Sequence, residues 1–243
     1  MATRSSPVQA ALLVVAAVLV LAAGCTGLPS GTEPSTTPSP PLSVTNATDR
    51  ALDAERDYVF TESVPEDATK SGTGGVSTTD AQAVAATDEG RFVLVRFAFW
   101  YTQNTSEGQL HADGISRAAY FVTPNDTTRV SYPGHEMKGS GSRNATLSVG
   151  VVNAASSTRS VSLRVEAAGN DVYSTDTSIG ARSAAHTPRL AVDHSEAQVV
   201  ATVDGTTRQT TVQVPSPDEG LGQVTVFVAP DGTVVVTRTP RPV

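Results

Sequence analysis

The feature that most constrains the fold is a series of short segments, rich in valine and threonine, that runs from Asn144 towards the C-terminal end. In one of them Val161, Leu163 and Val165 alternate with polar residues, which is the period of a strand with one buried face. Turn residues separate the segments, and the sequence APDG at 229–232 is the clearest hairpin signal. These segments supply seven or eight strands, so 143–243 is predicted to form an immunoglobulin-like β-sandwich of two packed antiparallel sheets. The segments are ATLSVGVV, RSVSLRVEA, DVYSTDT, PRLAVD, AQVVATV, RQTTVQV, QVTVFV and TVVVTR.

Residues 48–142 have a different hydrophobic pattern, which predicts a small α+β domain with one helix on an antiparallel sheet. Thr48 and Asp49 are suitable helix caps, and the following RALDAERDYV places an apolar side on one amphipathic helix. A polar, glycine-rich stretch at 62–79 follows. AQAVAAT and RFVLVRFAFWY, joined by Asp88-Glu89-Gly90, then predict a β-hairpin, with further strands at 118–123 and 129–133.

Both faces of the strand RFVLVRFAFWY are mostly apolar. Alternation places Val93, Val95, Phe97, Phe99 and Tyr101 on one face and Phe92, Leu94, Arg96, Ala98 and Trp100 on the other. A central strand covered by the helix on one side and by another layer on the other explains this pattern. The alternative is a binding platform of Trp100, Tyr101 and Tyr120 for a sugar ring or for an apolar patch of a partner.

The N-terminal residues 1–24 have the order of a secretory signal, with Arg4, an apolar run from Ala10 to Ala23 and then Gly24-Cys25. The 14 residues of this run would rise about 21 Å as a helix, which is short of a membrane core of about 30 Å. Cleavage before Cys25 is therefore preferred. The order Leu-Ala-Ala-Gly-Cys resembles a lipobox, so Cys25 is the predicted lipidation site, and an ordinary cleaved signal is the alternative.

Lipidation would place the protein on the outer face of the cytoplasmic membrane, facing the exterior. A two-chain lipid anchor holds a protein there durably, since each buried methylene contributes about 0.8 kcal/mol. Residues 25–47 are crowded with proline, serine and threonine and predict a disordered stalk. Four Asn-x-Ser/Thr triplets predict N-glycosylation at Asn46, Asn104, Asn125 and Asn144, although a threonine-rich chain also produces such triplets by chance.

The net charge argues against nucleic acid as a partner, and the cysteine content excludes an intrachain disulfide. The chain has 17 Lys+Arg and 24 Asp+Glu; loss of residues 1–24 removes only Arg4, so the mature chain carries 16 − 24 = −8. Nucleic acid is therefore not a predicted partner. Cys25 is the only cysteine, so no intrachain disulfide can form.

The sequence predicts no cofactor, no metal site and no catalytic residue. A blue-copper site needs a thiolate beside two histidines, and the single thiol is assigned to the anchor. His111, His135, His186 and His194 lack the spacing of a zinc site, and no Asp-x-Asp-x-Asp-Gly calcium loop occurs. Ser116 has no recognisable base near it in the sequence. A pair of carboxylates, as in glycosidases, stays open because their separation is spatial.

Three features resemble a group of haloarchaeal secreted lipoproteins of unassigned function that carry a C-terminal immunoglobulin-like sandwich. They are the lipobox, the aromatic-ended strand RFVLVRFAFWY and the segment ADGISRAAY at 112–120. Scarce lysine beside plentiful arginine and scattered acidic residues agree with a haloarchaeal origin, and GC-rich coding would have the same effect. The resemblance implies location and architecture, with no catalytic residue.

These observations predict a non-catalytic binding or structural module of the cell envelope. Its expected partners are the membrane, through the lipid anchor, and an envelope protein or a glycan. Two alternatives stay open at this point, a solute-binding lipoprotein of a transporter and an extracellular hydrolase with an unrecognised carboxylate site.

Overall fold

The structure is a computed structural model that describes residues 42–75, 77–132, 146–216 and 218–239. Within these ranges the chain forms one α-helix and 14 strands in three sheets. The predicted mainly-β architecture, with one N-terminal helix on a sheet followed by a sandwich, is confirmed. The predicted signal peptide, Cys25, the predicted stalk up to residue 41 and Asn144 lie outside the described residues. Among the residues described, no helix has the length and apolar character needed to cross a membrane.

Helix α1 spans Val44–Tyr58 and continues into a π-helical turn at Val59–Ser63. Ser43 caps it, because its hydroxyl oxygen accepts a hydrogen bond of 3.1 Å from the backbone N–H three residues later. The helix therefore begins earlier than the predicted start at Thr48. The last residues of the predicted stalk belong to the helix, and Thr48 lies inside it with its hydroxyl bonded to the carbonyl of Val44.

One side of α1 and of the π-helical turn after it is buried along an i, i+4 row of four residues: Ala47, Ala51, Glu55 and Val59. Small side chains at the first two positions let the helix backbone approach the sheet closely. Glu55 is the one charged member of this row, and its surroundings are described below.

The N-terminal sheet has β3 at its centre. Both β1 and β2 pair with one edge of β3, and β4 pairs with the other edge and carries β5, all antiparallel. The hairpin predicted between AQAVAAT and RFVLVRFAFWY is β2–β3, but β3 and β4 extend further than predicted and β1 lies in the glycine-rich stretch. The strands are β1 Ala68–Thr73, β2 Asp80–Ala86, β3 Arg91–Thr105, β4 Gly108–Val122 and β5 Thr127–Ser131.

The prediction that β3 is covered on both faces is confirmed. Val93, Val95 and Phe97 pack with α1 in one core cluster. On the other face Phe92 belongs to a second cluster, with Phe121 at 4.8 Å and Phe227 at 4.6 Å between ring centroids. Apolar character on both faces is thus the signature of an internal strand.

The sandwich consists of two sheets, which we call the β6 sheet and the β7 sheet. The β6 sheet has the order β10-β6-β13-β14, with β9 also paired to β6, and the β7 sheet has the order β12-β11-β7-β8. Every predicted strand of this region is present, and β9 is additional. The strands are β6 Thr146–Asn153, β7 Arg159–Ala167, β8 Asn170–Ile179, β9 Ser183–His186, β10 Leu190–Ala191, β11 Glu196–Val203, β12 Thr206–Gln213, β13 Leu221–Val228 and β14 Val234–Arg238.

One pairing departs from the predicted antiparallel arrangement. β13 runs parallel to β6, with Leu221 beside Thr146 and Val228 beside Asn153. A parallel pair needs a long connection, and here the four strands of the β7 sheet together with β9 and β10 provide it. Alternating apolar residues predict a strand and its buried face, but they do not encode its neighbour.

The N-terminal sheet and the β6 sheet share a third apolar cluster. Phe92, Phe121 and Tyr132 contribute from one side, and Val152 and Phe227 from the other. A hydrogen bond of 3.4 Å joins the hydroxyls of Tyr132 and Thr225 in this layer. The described residues belong to one compact unit, while the boundary between 142 and 143 stays a prediction.

Candidate functional site

The three aromatic residues predicted to form a binding platform do not share a surface. Trp100 and Tyr101 are neighbours in β3, so their side chains point to opposite faces of the sheet. Tyr120 lies opposite Val93 on the helix-covered face and is 1% exposed. The structure therefore corrects the platform prediction: aromatic residues at strand ends can share a platform only if the register places them on one face.

Trp100 instead covers a glycine. Gly72 is its partner on β1, and a Cβ added there would lie 2.9 Å from three atoms of the indole ring. The ring of His111 lies 5.7 Å away between centroids, tilted by 35°. The indole thus packs along the sheet, as aromatic residues do when they cover a glycine in a neighbouring strand.

A buried carboxylate joins α1 to the N-terminal sheet. Glu55 is fully buried, and it accepts hydrogen bonds from Arg129 (Nε at 2.8 Å and Nη2 at 3.0 Å) and from the hydroxyl of Tyr120 at 2.6 Å. The hydroxyl of Ser116 also donates to it. The Arg129 guanidinium lies 3.5 Å from the centroid of the Tyr58 ring, in cation–π geometry.

The protonation of this cluster follows from its burial. Burial, and then the hydrogen bond to Glu55 and its charge, raise the pKa of Tyr120 far above its ordinary range. Burial alone would lower the pKa of Arg129, but the hydrogen bond and charge of Glu55 outweigh burial and raise it. The phenol of Tyr120 is therefore a neutral donor and Arg129 a permanent cation.

This cluster can hold two elements together, but it does not offer a reactive group. Four donors surround the carboxylate of Glu55, and its side chain is 0% exposed. Ser116, for which the sequence indicated no base, does contact a carboxylate, yet that carboxylate is already paired with Arg129. A charged residue within an apolar helix row was the sequence signal for this site, although it did not identify the partners.

Two further arginines attach α1 and the residue Leu42 before it to the sheet. Arg50 donates to the carbonyl of Pro124 at 2.9 Å and to the hydroxyl of Thr127 at 3.1 Å, in and beside the β4–β5 turn. Arg91 donates to the carbonyl of Leu42 at 2.7 Å. The chain is therefore fixed to the folded part where it leaves the predicted stalk.

The histidines within the described residues do not assemble a metal site. His111 and His194 are exposed, whereas His186 packs on Tyr132 with 4.9 Å between ring centroids. His135 lies outside the described residues. In the described ranges there is no group of three or more His, Cys, Asp or Glu residues that could hold a metal ion.

Three of the four predicted glycosylation sites can be located. Asn46 lies in the first turn of α1, Asn104 near the end of β3 and Asn125 in the β4–β5 turn, all with exposed side chains. Asn144 lies outside the described residues. Glycosylation of these residues stays a prediction.

A pocket of about 140 Å³ opens between the two sheets of the sandwich, on the side of β8 and β9. Its floor is apolar and consists of four core residues: Val149, Val151, Leu163 and Ile179. An engineered apolar cavity of about 150 Å³ holds a benzene molecule, so this pocket has room for one ring-sized group.

The mouth of the pocket is more polar than its floor. Thr175 and Thr177 on β8 face inward with Tyr173, at positions that a closed sandwich would fill with apolar side chains. Thr177 is exposed, and so is Ala185 on β9 across the opening. Threonines at inward positions of a strand were visible in the sequence as DVYSTDT, but alternation alone did not tell which face was inward.

Comparisons with protein-family models, with curated proteins and with solved structures found no match to this chain.

Proposed function

We propose that this protein is a membrane-anchored extracellular lipoprotein that acts as a non-catalytic binding module of the cell envelope. The observation that carries the binding role is the pocket between β8 and β9, because it joins an apolar floor to a hydroxyl-lined mouth that solvent can reach. Ligand sites usually combine an apolar lining with a few polar groups in this way. The sandwich is the binding part in this proposal.

The anchoring role rests on the sequence order of an apolar run, Cys25 and a proline-rich segment. The bonds of Arg50 on α1 to the β4–β5 turn and of Arg91 to the carbonyl of Leu42, just before α1, agree with it. A force on a protein that is tethered at its N-terminal end acts first on the start of its folded part. The bonds of Arg50 and Arg91 at this place would keep α1 packed on the sheet.

The test compares wild type with Cys25→Ser in intact cells, with crosslinking followed by mass spectrometry of the membrane fraction. We expect the wild type in membranes, crosslinked to a specific partner, and the variant in the medium. A variant that stays in the membrane would refute the lipid anchor. A wild type that crosslinks to no protein or glycan would refute the binding role.

Ala185→Trp tests whether the pocket is the binding part. An indole at this exposed position would obstruct the opening without replacing a core side chain. We expect the anchored variant to lose the crosslinks of the wild type. Crosslinks that persist would place the binding surface elsewhere.

A further inference from the structure

The pocket adjoins an unpaired strand edge. β8 is the last strand of the β7 sheet, and among the described residues no strand pairs with its outer edge. Alternate residues along its length of 10 residues therefore present backbone N–H and C=O groups away from β7, beside the pocket mouth. Natural sheets usually protect such an edge with lysine, proline or a bulge. β8 contains neither lysine nor proline. Its one register shift lies near its start, between Asp171 and Tyr173, which pair with Glu166 and Val165 of β7.

The side chains of β8 divide between two environments. Tyr173, Thr175 and Thr177 face the pocket. Asp176 points to the other face and makes no ion pair in the described part of the chain, in contrast to Asp171, which lies 3.8 Å from Arg164. One edge thus combines backbone hydrogen-bonding groups, a ring-sized pocket and an unneutralised carboxylate.

From this combination we infer that the open side of the sandwich binds an extended peptide segment of a partner protein, which adds to β8 as a further strand. The inference rests on the proposed binding function and names the class of partner. Backbone bonds to a strand edge would provide affinity, and the pocket would select the side chains at alternate positions. A glycan fits less well, because the floor of the pocket is apolar and the backbone groups of the β8 edge match those of another extended chain.

The geometry predicts the sequence pattern of the peptide. Residues beside Thr175 and Thr177 would point into the pocket, so a Phe or Leu side chain is expected there. The residue beside Asp176 would point to the opposite face, where Lys or Arg would form a cross-strand charge pair. The preferred pattern is therefore an apolar residue, a basic residue and a further apolar residue, in an extended segment.

The test uses synthetic peptides as long as β8, 10 residues, that alternate threonine and valine around a central Phe-Lys-Val. Three matched peptides replace Phe by Ala, replace Lys by Glu, or carry N-methyl groups on the amides that would face β8. Binding to the full-length protein in detergent is measured by fluorescence anisotropy. We expect the Phe-Lys-Val peptide to bind, and each of the other three to bind about tenfold more weakly or not at all.

Asp176→Lys gives the sharper result. This substitution should reverse the preference of the protein for Lys over Glu at the central peptide position, so that the peptide with Glu binds better than the peptide with Lys. Asp88→Lys makes the same charge change in the β2–β3 turn and should leave both affinities unchanged. Ala185→Trp should abolish binding, and a thermal midpoint close to that of the wild type would show that this variant is folded.

Three results would overturn the inference. Equal binding of the N-methylated peptide would mean that no strand is added. An unchanged preference in Asp176→Lys would remove the role of this carboxylate. A dimer of the full-length protein in light scattering that Asp176→Lys dissociates would mean that a second copy occupies the edge. In each case the crosslinking of wild type in cells and its loss in Ala185→Trp would still decide the proposed function separately.

Discussion

The carboxylate of Glu55 on α1 forms a two-point ion pair with the guanidinium of Arg129 on β5, at 2.8 and 3.0 Å. The two residues are 74 positions apart in the chain. Glu55 is fully buried, whereas the Arg129 side chain keeps 19% exposure. The buried charge of Glu55 depends on Arg129 for compensation, and the guanidinium of Arg129, which is mostly buried, depends on Glu55 in turn.

Glu55→Gln should therefore destabilise the protein by about 3 kcal/mol, since loss of one partner leaves the other charge uncompensated. The control is Asp53→Asn, which removes an exposed pair with Arg56 on the same helix, with side chains 69% and 52% exposed. That change should cost less than about 1 kcal/mol. Denaturant unfolding measures both, and equal effects of the two variants would contradict the assigned role of Glu55.

Alkaline titration should reveal buried tyrosines. Burial raises the pKa of Tyr132, and burial with the Glu55 contact raises that of Tyr120. In the folded protein the pKa of each of these two tyrosines lies above the unfolded value of about 10. Their contribution to the stability of the fold is therefore complete below that pH and is lost as the pH rises towards the folded pKa. Above a pH of about 10, the tyrosinate absorbance of the native protein should therefore fall short of that of the unfolded chain by the contributions of Tyr120 and Tyr132.

Tyr132→Phe provides the control for this titration, because it removes one of the two buried phenols. The difference between native and unfolded amplitudes should then shrink by one tyrosine. A folded wild type in which Tyr120 and Tyr132 ionise reversibly near the ordinary tyrosine pKa would contradict the prediction.

Acid titration tests a turn of the sandwich. Asp204 accepts hydrogen bonds from Arg159 at 2.9 Å and from the backbone of Ser160 at 3.0 Å, and these bonds lower its pKa. Because the pKa of this carboxyl is lower in the folded protein than in the unfolded chain, its ionised form stabilises the fold at pH values above the unfolded pKa. This stabilisation is lost as the pH falls through the folded pKa. Asp204→Asn should be less stable than wild type at neutral pH, and the difference should disappear in acid.

The matched control is Asp88→Asn, another exposed turn residue, which has no bond to an arginine among the described residues. Its stability should follow wild type across the pH range. Thermal unfolding at several pH values measures both variants, and a constant difference for Asp204→Asn would contradict the titration of this carboxylate.

Gly72→Ala should displace the indole of Trp100. The added Cβ would lie 2.9 Å from the ring, closer than carbon atoms approach each other, so the ring must move towards solvent. We expect a red shift of fluorescence from the single tryptophan and a loss of about 1–3 kcal/mol of stability. Gly180→Ala is the control, because its Cβ would meet only ordinary contacts at 3.7 Å. An unchanged emission spectrum for Gly72→Ala would contradict the prediction.

Asn153 connects the end of β6 to the end of β8. It is fully buried, and its amide donates to the carbonyls of Ser157 at 2.9 Å and of Gly180 at 2.8 Å. Asn153→Ala should cost about 2–5 kcal/mol, because several buried backbone groups would lose their partners. Asn153→Asp should be destabilising too, since a carboxylate cannot donate to these carbonyls. Denaturant unfolding checks both, and wild-type stability of either variant would contradict this role.

Much of the local structure could be predicted because strands have a short period. β7 has the predicted limits 159–167, and the two faces of β3 were assigned correctly, since alternation within one strand is a property of its own residues. The helix start was wrong, because both Ser43 and Thr48 are suitable caps and the contacts of the preceding turn decide between them. Ala47, four residues before Ala51, is buried against the sheet and favours the earlier start.

The sequence by itself determined the succession of one helix and many strands and the residues of most strands, and it predicts an anchor and a stalk. Tertiary structure alone decided the parallel pairing of β6 with β13, the contact of Glu55 with Arg129, and the burial of Tyr120. It also decided that β8 ends its sheet beside an open pocket. The physical reason is the separation along the chain over which each effect acts. Periodicity and turn chemistry involve residues a few positions apart. The order of strands and the pairing of buried charges involve residues that meet only after the chain has folded.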